Sequence, residues 1–106
     1  MREVADSIDG QLPDSKQTLF TVPSCLNFFI KFVVLVNSDG ADTTAELWIN
    51  RGGDSRRIIR PYPLQANGDL QGPMFIALTP GNLIEGRAST AEKVDYVISY
   101  VMQLEN

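Results

Sequence analysis

The sequence predicts an all-β domain, an antiparallel sandwich or barrel of about eight strands. Three observations support this prediction. Apolar and polar side chains alternate along several short segments, which is typical of strands with one buried face. Turn sequences rich in Asn, Asp, Gly and Pro separate these segments. The segment Phe28 to Val36 is apolar at every position except Lys31, as expected of a strand buried on both sides.

The first sixteen residues are predicted to form an arm rather than part of the sandwich. Val4, Ile8 and Leu12 recur every four positions, which fits one stripe of a helix. Gly10 and Pro13 interrupt that pattern. We therefore expect an arm with one helical turn over residues 1–16, either disordered or folded onto a partner, and a sandwich domain over residues 17–106.

The chain then alternates through Gln17 to Val22, a short strand that Pro23 ends or places at a sheet edge. The central strand is predicted from Leu26 to Val36. We expect its even positions to face the core, while its odd positions, also largely apolar, need a second layer or a neighbouring subunit. The expected core positions are Phe28, Ile30, Phe32, Val34 and Val36.

The strand predicted from Thr43 to Asn50 alternates cleanly and places Trp48 on the face away from Leu47 and Ile49. Short strands are also predicted from Ser55 to Arg60, which ends at prolines, from Met74 to Thr79 and from Leu83 to Ala88.

The last strand is predicted from Val94 to Leu104, because every even position in it is apolar or aromatic. Val94, Ile98 and Val101 would also suit a helical stripe. The strict alternation and the β-branched residues favour a strand.

Residue chemistry argues against an enzyme. The chain has no histidine, which removes the commonest general base and metal ligand. The single cysteine, Cys25, cannot form an internal disulfide, and the aspartates stand in turns without EF-hand spacing. We expect no catalytic, cofactor-binding or metal-binding residue. The net charge of −4 repels phosphate, so neither nucleic acid nor an anionic membrane is an expected partner.

Two features suggest contact with a protein partner. Arginines cluster in an otherwise acidic chain and could dock an acidic surface, such as the arm of a neighbouring subunit. A strand tryptophan outside the core phase often anchors an interface. Phe29, Val33, Val97 and Val101 also fall outside the confident core, which favours oligomerisation. With the apolar arm residues, the predicted partner-binding set is Val4, Ile8, Leu12, Trp48, Arg51, Arg56, Arg57 and Arg60.

Four stretches together resemble small β-sandwich or jelly-roll virion proteins of tailed bacteriophages. In that pattern a Thr-Val-Pro strand precedes a long apolar strand, a turn and a "T-x-x-L-x-I" strand. A Pro-Gly turn, "x-I-x-G-x-A-S-T" and a valine-rich strand follow. Ser24 to Asn27 replaces an expected Ala-Gly-Lys turn. The matching stretches are Thr18 to Pro23, Val36 to Asn50, Leu78 to Thr90 and Val94 to Val101.

The resemblance implies a single antiparallel β-sandwich of the jelly-roll type. It also implies a structural role in the virion, most similar to that of capsid decoration (cement) proteins, which bind the outer shell and bridge capsid subunits. The implied partners are the major capsid protein and copies of this chain, as a dimer or trimer. The implied location is the capsid surface, with assembly in the host cytoplasm. A tail, neck or fibre component, or a carbohydrate- or receptor-binding sandwich using Trp48, Tyr62, Tyr96 or Tyr100, remains an alternative.

Overall fold

A computed structural model describes residues 2–104 of the chain, and these form eight strands without a helix. The predicted all-β fold is therefore confirmed. The strands are β1 (Arg2–Gln11), β2 (Gln17–Thr21), β3 (Leu26–Asn37), β4 (Thr43–Arg51), β5 (Asp54–Leu64), β6 (Asp69–Leu78), β7 (Leu83–Ala88) and β8 (Val94–Leu104).

The strands pair in nested order, as if one long antiparallel hairpin were folded over into two sheets. β4 pairs with β5 at its tip, and β3 with β6, β2 with β7 and β1 with β8 pair progressively further back along the chain, all antiparallel. β8 also pairs with β3, and β7 also pairs with β4, and these pairings join the strands into two sheets. The first sheet has the order β1-β8-β3-β6 and the second β2-β7-β4-β5. This nested pairing in two packed sheets is the jelly-roll arrangement.

A β-bulge in the middle of β3 changes which side chains face the core. The register with β8 shifts between Ile30 and Phe32, so the alternation of the strand reverses there. Before the bulge Phe28 is buried. After it Val33 and Leu35 are buried, while Phe32 and the even positions that follow are only half-buried.

The predicted core phase of the central strand is therefore correct only up to Ile30. Phe32, Val34 and Val36, expected in the core, face outward. Val33, expected outside it, is 2% exposed.

The expected helical turn near the start of the chain is wrong, because Arg2–Gln11 forms strand β1 and pairs with β8 along its whole length. A four-residue spacing lies on one stripe of a helix, but it also lies on one face of a strand, where every second residue points the same way. Val4 and Ile8 accordingly pair with inward positions of β8. Leu12, just beyond β1, is fully buried.

Strands β5 and β6 are longer than the sequence predicted. β5 continues through Pro61 and Pro63, and β6 begins at Asp69 and includes Pro73. Both are edge strands, where a residue without an N–H group removes no hydrogen bond from a neighbouring strand. The predicted strand over Val94 to Leu104 is confirmed without change.

Aromatic rings join the two sheets near the end of the sandwich where β2 leads into β3. Phe20 of the second sheet stacks on Phe28 of the first with ring centroids 5.1 Å apart. Phe28 in turn stacks on Tyr100 at 4.5 Å. Such pairs add to the free energy gained by burying the rings.

A buried amide organises the opposite end. The side-chain nitrogen of Asn37 donates to the carbonyl oxygens of Ala41, Leu64 and Gln65 at 2.9, 3.2 and 3.1 Å. Its side-chain oxygen accepts from the backbone N–H of Asp39 at 3.0 Å. One fully buried side chain thus ties the β3–β4 turn to the β5–β6 turn.

We expect Leu12→Ala to lower the free energy of unfolding by about 2–5 kcal/mol, because the substitution leaves a cavity in the core. Asp6→Ala, at an exposed position of the neighbouring strand, is the control and should change it by less than about 0.5 kcal/mol. Chemical denaturation measures both. Equal, small losses would contradict the placement of Leu12 in the core.

We expect Asn37→Ala to lower the free energy of unfolding by about 1–3 kcal/mol, because buried carbonyl oxygens lose their donor. Asn27→Ala, at a half-exposed position of the same strand, is the matched control. Thermal and urea unfolding of the two variants test this, and an Asn37→Ala variant as stable as the control would show that the amide hydrogen bonds contribute nothing.

Candidate interaction surfaces

The most prominent candidate sites among the described residues are surfaces. Among residues 2–104, no group of three or more Cys, Asp or Glu side chains is placed to hold a metal ion. The outward-facing side of each sheet is therefore the candidate site. We call the outer side of the second sheet the closed face and that of the first sheet the open face.

The part of the chain that the structure describes contains no helix long and apolar enough to cross a membrane.

Trp48 lies on the closed face but is only 7% exposed. The ammonium group of Lys16 lies 5.0 Å from the centre of its ring, and the guanidinium group of Arg57 lies 5.6 Å from it. Both distances fit cation–π contacts. Trp48 thus lies on the outward face that the sequence predicted, but two long basic side chains cover its ring.

The carboxylates of the closed face are also paired within the chain. Glu46 lies 3.7 Å from a guanidinium nitrogen of Arg57 and 3.5 Å from one of Arg87. Glu85 accepts a 2.8 Å hydrogen bond from the Ser55 hydroxyl and lies 3.7 Å from the Lys16 ammonium group. Since burying an unpaired carboxylate is costly, these partners explain how the two glutamates can be nearly buried. Both carboxylates of this face therefore have partners within the chain.

The predicted arginine set separates into engaged and available members. Arg57 packs on Trp48 as described. Arg51 donates to the carbonyl oxygen of Ala77 at 2.7 Å, so it ties β4 to the edge of the first sheet. Arg56 and Arg60 are exposed on β5 and form no ion pair among residues 2–104.

The arm members of the predicted set lie elsewhere. Val4 and Ile8 are half-buried along the inner side of β1, and the buried Leu12 reaches the second sheet. A Cβ atom added to Gly86 of β7 would lie 2.9 Å from Leu12 Cδ2. The structure thus brings Trp48 and Arg57 together but places the apolar arm residues in and beside the core.

The open face is apolar along its centre. Phe75 of β6 is 71% exposed, with its ring 5.8 Å from that of Phe29 and the Lys31 ammonium group 4.6 Å from its centre. The sequence pointed to part of this face, since Phe29, Val97 and Val101 were expected outside the core. The outward apolar side chains are Phe29, Phe32, Val34, Val36, Pro73, Phe75, Ala77, Val97 and Val101.

Acidic side chains flank these apolar residues. Glu3 and Asp9 of β1 pair with outward positions of β8, and paired residues of antiparallel strands share a face. Asp95 of β8 and Asp69 of β6 pair with Val36 of β3, one on each side of it. Against these four carboxylates the face carries one cation, Lys31, so its formal net charge is −3 (one minus four).

Solved structures share the fold at low sequence identity. The infectious bursal disease virus chain in the T13 viral particle matches 98% of this chain at 10% identity and a TM-score of 0.59. This chain spans about a third of that chain's length, 31%. A chain of the capsid of Helicobacter pylori bacteriophage KHP30 matches 98% of this chain and is itself 89% covered, at 10% identity and a TM-score of 0.57.

A protein that is not viral also shares the fold. The Drosophila NLP-core, described as forming a pentamer and binding histones, matches 98% of this chain over its full length at 12% identity and a TM-score of 0.55. No protein-family model and no curated protein matches the sequence. The comparisons show a β-sandwich fold that this chain shares with viral capsid chains and with a non-viral protein.

The aromatic side chains named for a carbohydrate platform do not form one. Trp48, Tyr96 and Tyr100 are each 7% exposed, whereas Tyr62 is 37% exposed on β5. Sugar stacking needs an open ring face, so these buried rings give the carbohydrate-binding alternative no support.

We expect Tyr96 to make the fold sensitive to alkali. Burial raises the pKa of its phenol, and the carboxylate of Asp9 raises it further. A group whose pKa is higher in the folded state contributes stability that is complete below its unfolded pKa, about 10. That stability is lost as pH rises through the folded pKa.

Unfolding measured from pH 8 to 11.5 should therefore show a steeper alkaline loss of stability for the natural chain than for Tyr96→Phe. Absorbance titration near 295 nm should show one late phenol fewer in the variant. Identical alkaline profiles would contradict this assignment.

Proposed function

We propose that this protein is a non-enzymatic structural component of a virus particle, a decoration protein that binds the outside of a tailed-phage capsid. The observation that carries the proposal is that residues 2–104 form a jelly roll whose first sheet leaves one broad, apolar face exposed. Such a face is a surface on which the domain can dock.

The likeness to capsid-derived chains supports this role through size as well as fold. The phage KHP30 capsid chain is nearly covered by this chain, so it too is little more than one such sandwich. The infectious bursal disease virus chain is about three times as long. A domain of about this size is therefore a component of at least one phage capsid.

Assembly in many copies is the common property of these structural neighbours, described as a viral particle, a capsid and a pentamer. The proposed mechanism is physical. A rigid sandwich contacts the major capsid protein and further copies of itself, and many weak contacts add up because each bound copy holds the next at high local concentration. No cofactor, nucleic acid or membrane takes part.

The proposed contact residues are those of the predicted set that the fold leaves accessible. Arg56 and Arg60 are exposed, and Val4 and Ile8 are half-exposed at the rim of β1. Arg57 contributes by covering Trp48 in the β4–β5 hairpin, and Arg51 by its hydrogen bond to β6. Leu12 supports the domain from its core.

Purified protein added to undecorated shells of the phage that encodes it should co-sediment with them, and cryo-electron microscopy should show added density on the outer surface. The double variant Arg56→Glu/Arg60→Glu should show lower occupancy than Arg2→Glu, which reverses an arginine on the opposite edge strand. Immunogold labelling of virions provides an independent check.

Labelling confined to the tail would replace decoration with a tail, neck or fibre role. Virions that carry no label would remove the structural role altogether.

A further inference from the structure

The open face exposes a contiguous apolar surface. Phe75 is 71% exposed, and Phe29, Val97 and Val101 continue the apolar surface across three neighbouring strands. Large contiguous apolar patches on soluble proteins mark interaction sites. The closed face shows the contrast, because the chain covers its own tryptophan there.

The size of the open face fits a specific interface. Strands lie about 4.8 Å apart and rise about 3.3 Å per residue, so four strands of ten residues present a flat area of roughly 600 Å². Side chains enlarge the accessible area beyond this projection. A stable interface buries about 800 Å² on each partner, so the face can supply one.

Its charge argues against two open faces packed on each other. The face carries Glu3, Asp9, Asp69 and Asp95 against Lys31 alone. Two such surfaces would bring a net −3 against a net −3 in a desolvated interface. Like charges across an interface cost several kcal/mol. The partner surface must therefore be basic as well as apolar.

The same chain presents such a surface on the edge strand β5. Arg56 and Arg60 are exposed there without an ion pair among the described residues. Exposed Pro61 and 37% exposed Tyr62 follow Arg60 in the strand, while half-buried Ile58 packs against the core. β5 belongs to the second sheet, whereas the open face points away from that sheet, so one copy cannot fill its own open face.

The edge of β5 is also unsuited to adding another strand. Pro61 and Pro63 lack N–H donors, and the register with β4 shifts twice along the strand. Prolines and bulges prevent strand-to-strand pairing at an edge. Contact through this edge must be made by side chains, which is what docking onto a sheet face requires.

We propose that the open face of one copy binds the β5 edge of a second copy, so that the chain self-associates head to tail. Because the two contact surfaces differ, a bound pair still offers one free open face and one free β5 edge, and the association closes into a ring or extends into an array. This deepens the proposed function by naming its copy-to-copy contact, and rests on that function only for the place of the contact in a particle.

Two variants separate the two surfaces. Phe75→Lys removes the exposed ring and adds a charge that repels arginine, at a position whose exposure leaves the fold intact. Arg56→Glu/Arg60→Glu reverses the charge of the β5 edge. Arg2→Glu is the control for charge change on an edge strand. Circular dichroism and thermal unfolding of each variant first confirm that it is folded.

Sedimentation velocity and light scattering of the natural chain should show species larger than a monomer, weakened as salt is raised from 50 to 500 mM. Each surface variant should raise the dissociation constant about tenfold or more, while the control should not. An equimolar mixture of the two variants is the decisive sample. Each retains the surface that the other lacks, so the mixture should form a dimer and nothing larger.

Three results would overturn the proposal. The natural chain could remain monomeric at millimolar concentration. The Arg56→Glu/Arg60→Glu variant could still associate as the natural chain does, which would indicate open faces packed on each other. The mixture could remain monomeric although both variants fold. Because these measurements use purified protein alone, they are independent of whether the chain binds capsid shells.

Discussion

The β-bulge in strand β3 is the constraint on which the rest of the molecule depends. β3 pairs with β8 on one side and with β6 on the other. Because paired residues lie on the same face of a sheet, the inward and outward positions of β3 also determine those of β8 and β6. The extra residue at Lys31 lets Phe28 and Ile30 enter the core from the first half of the strand, and Val33 and Leu35 from the second. Without it, the second half would bury Phe32, Val34 and Val36 instead.

The two outer faces show two ways of treating apolar side chains outside a core. On the closed face, Trp48 is covered by Lys16 and Arg57, whose charges are themselves paired with Glu85 and Glu46. On the open face, Lys31 contacts one edge-strand ring and leaves most of its surface in water. The first arrangement is complete within one chain, whereas the second leaves an apolar surface exposed.

Much of the fold followed from local pattern, and the failures have physical causes. The β4 and β8 segments alternate over their whole length, so their strands and core residues were predictable. The spacing of Val4 and Ile8 satisfies both a helix and a strand, and only pairing with β8 decides between them. Lys31, the one polar residue of its run, was the available signal for the bulge. The sequence alone does not show that a polar residue marks an inserted position rather than a solvent-facing one.

The candidate surfaces were less predictable because they depend on residues distant in sequence. Lys16 reaches Trp48 from the segment before β2, which no local pattern around Trp48 indicates. Likewise, Phe75 belongs to a strand whose predicted start missed its first five residues, Asp69 to Pro73. Phe29, Val97 and Val101, which were expected outside the core, do lie on the outer side of one sheet, but the full extent of that apolar surface became visible only with the register of β6 and β8.

The position of β8 has a consequence for synthesis on the ribosome. β8 is the last of the eight strands to be made, yet it lies between β1 and β3. Until it emerges, β1 has no neighbour and β3 has only β6, so one edge of the most apolar strand stays unpaired until β8 is made. Pairing across nearly the whole chain is also slow, because the long intervening loop must be closed first. The sheet β1-β8-β3-β6 therefore cannot be completed before β8 has emerged.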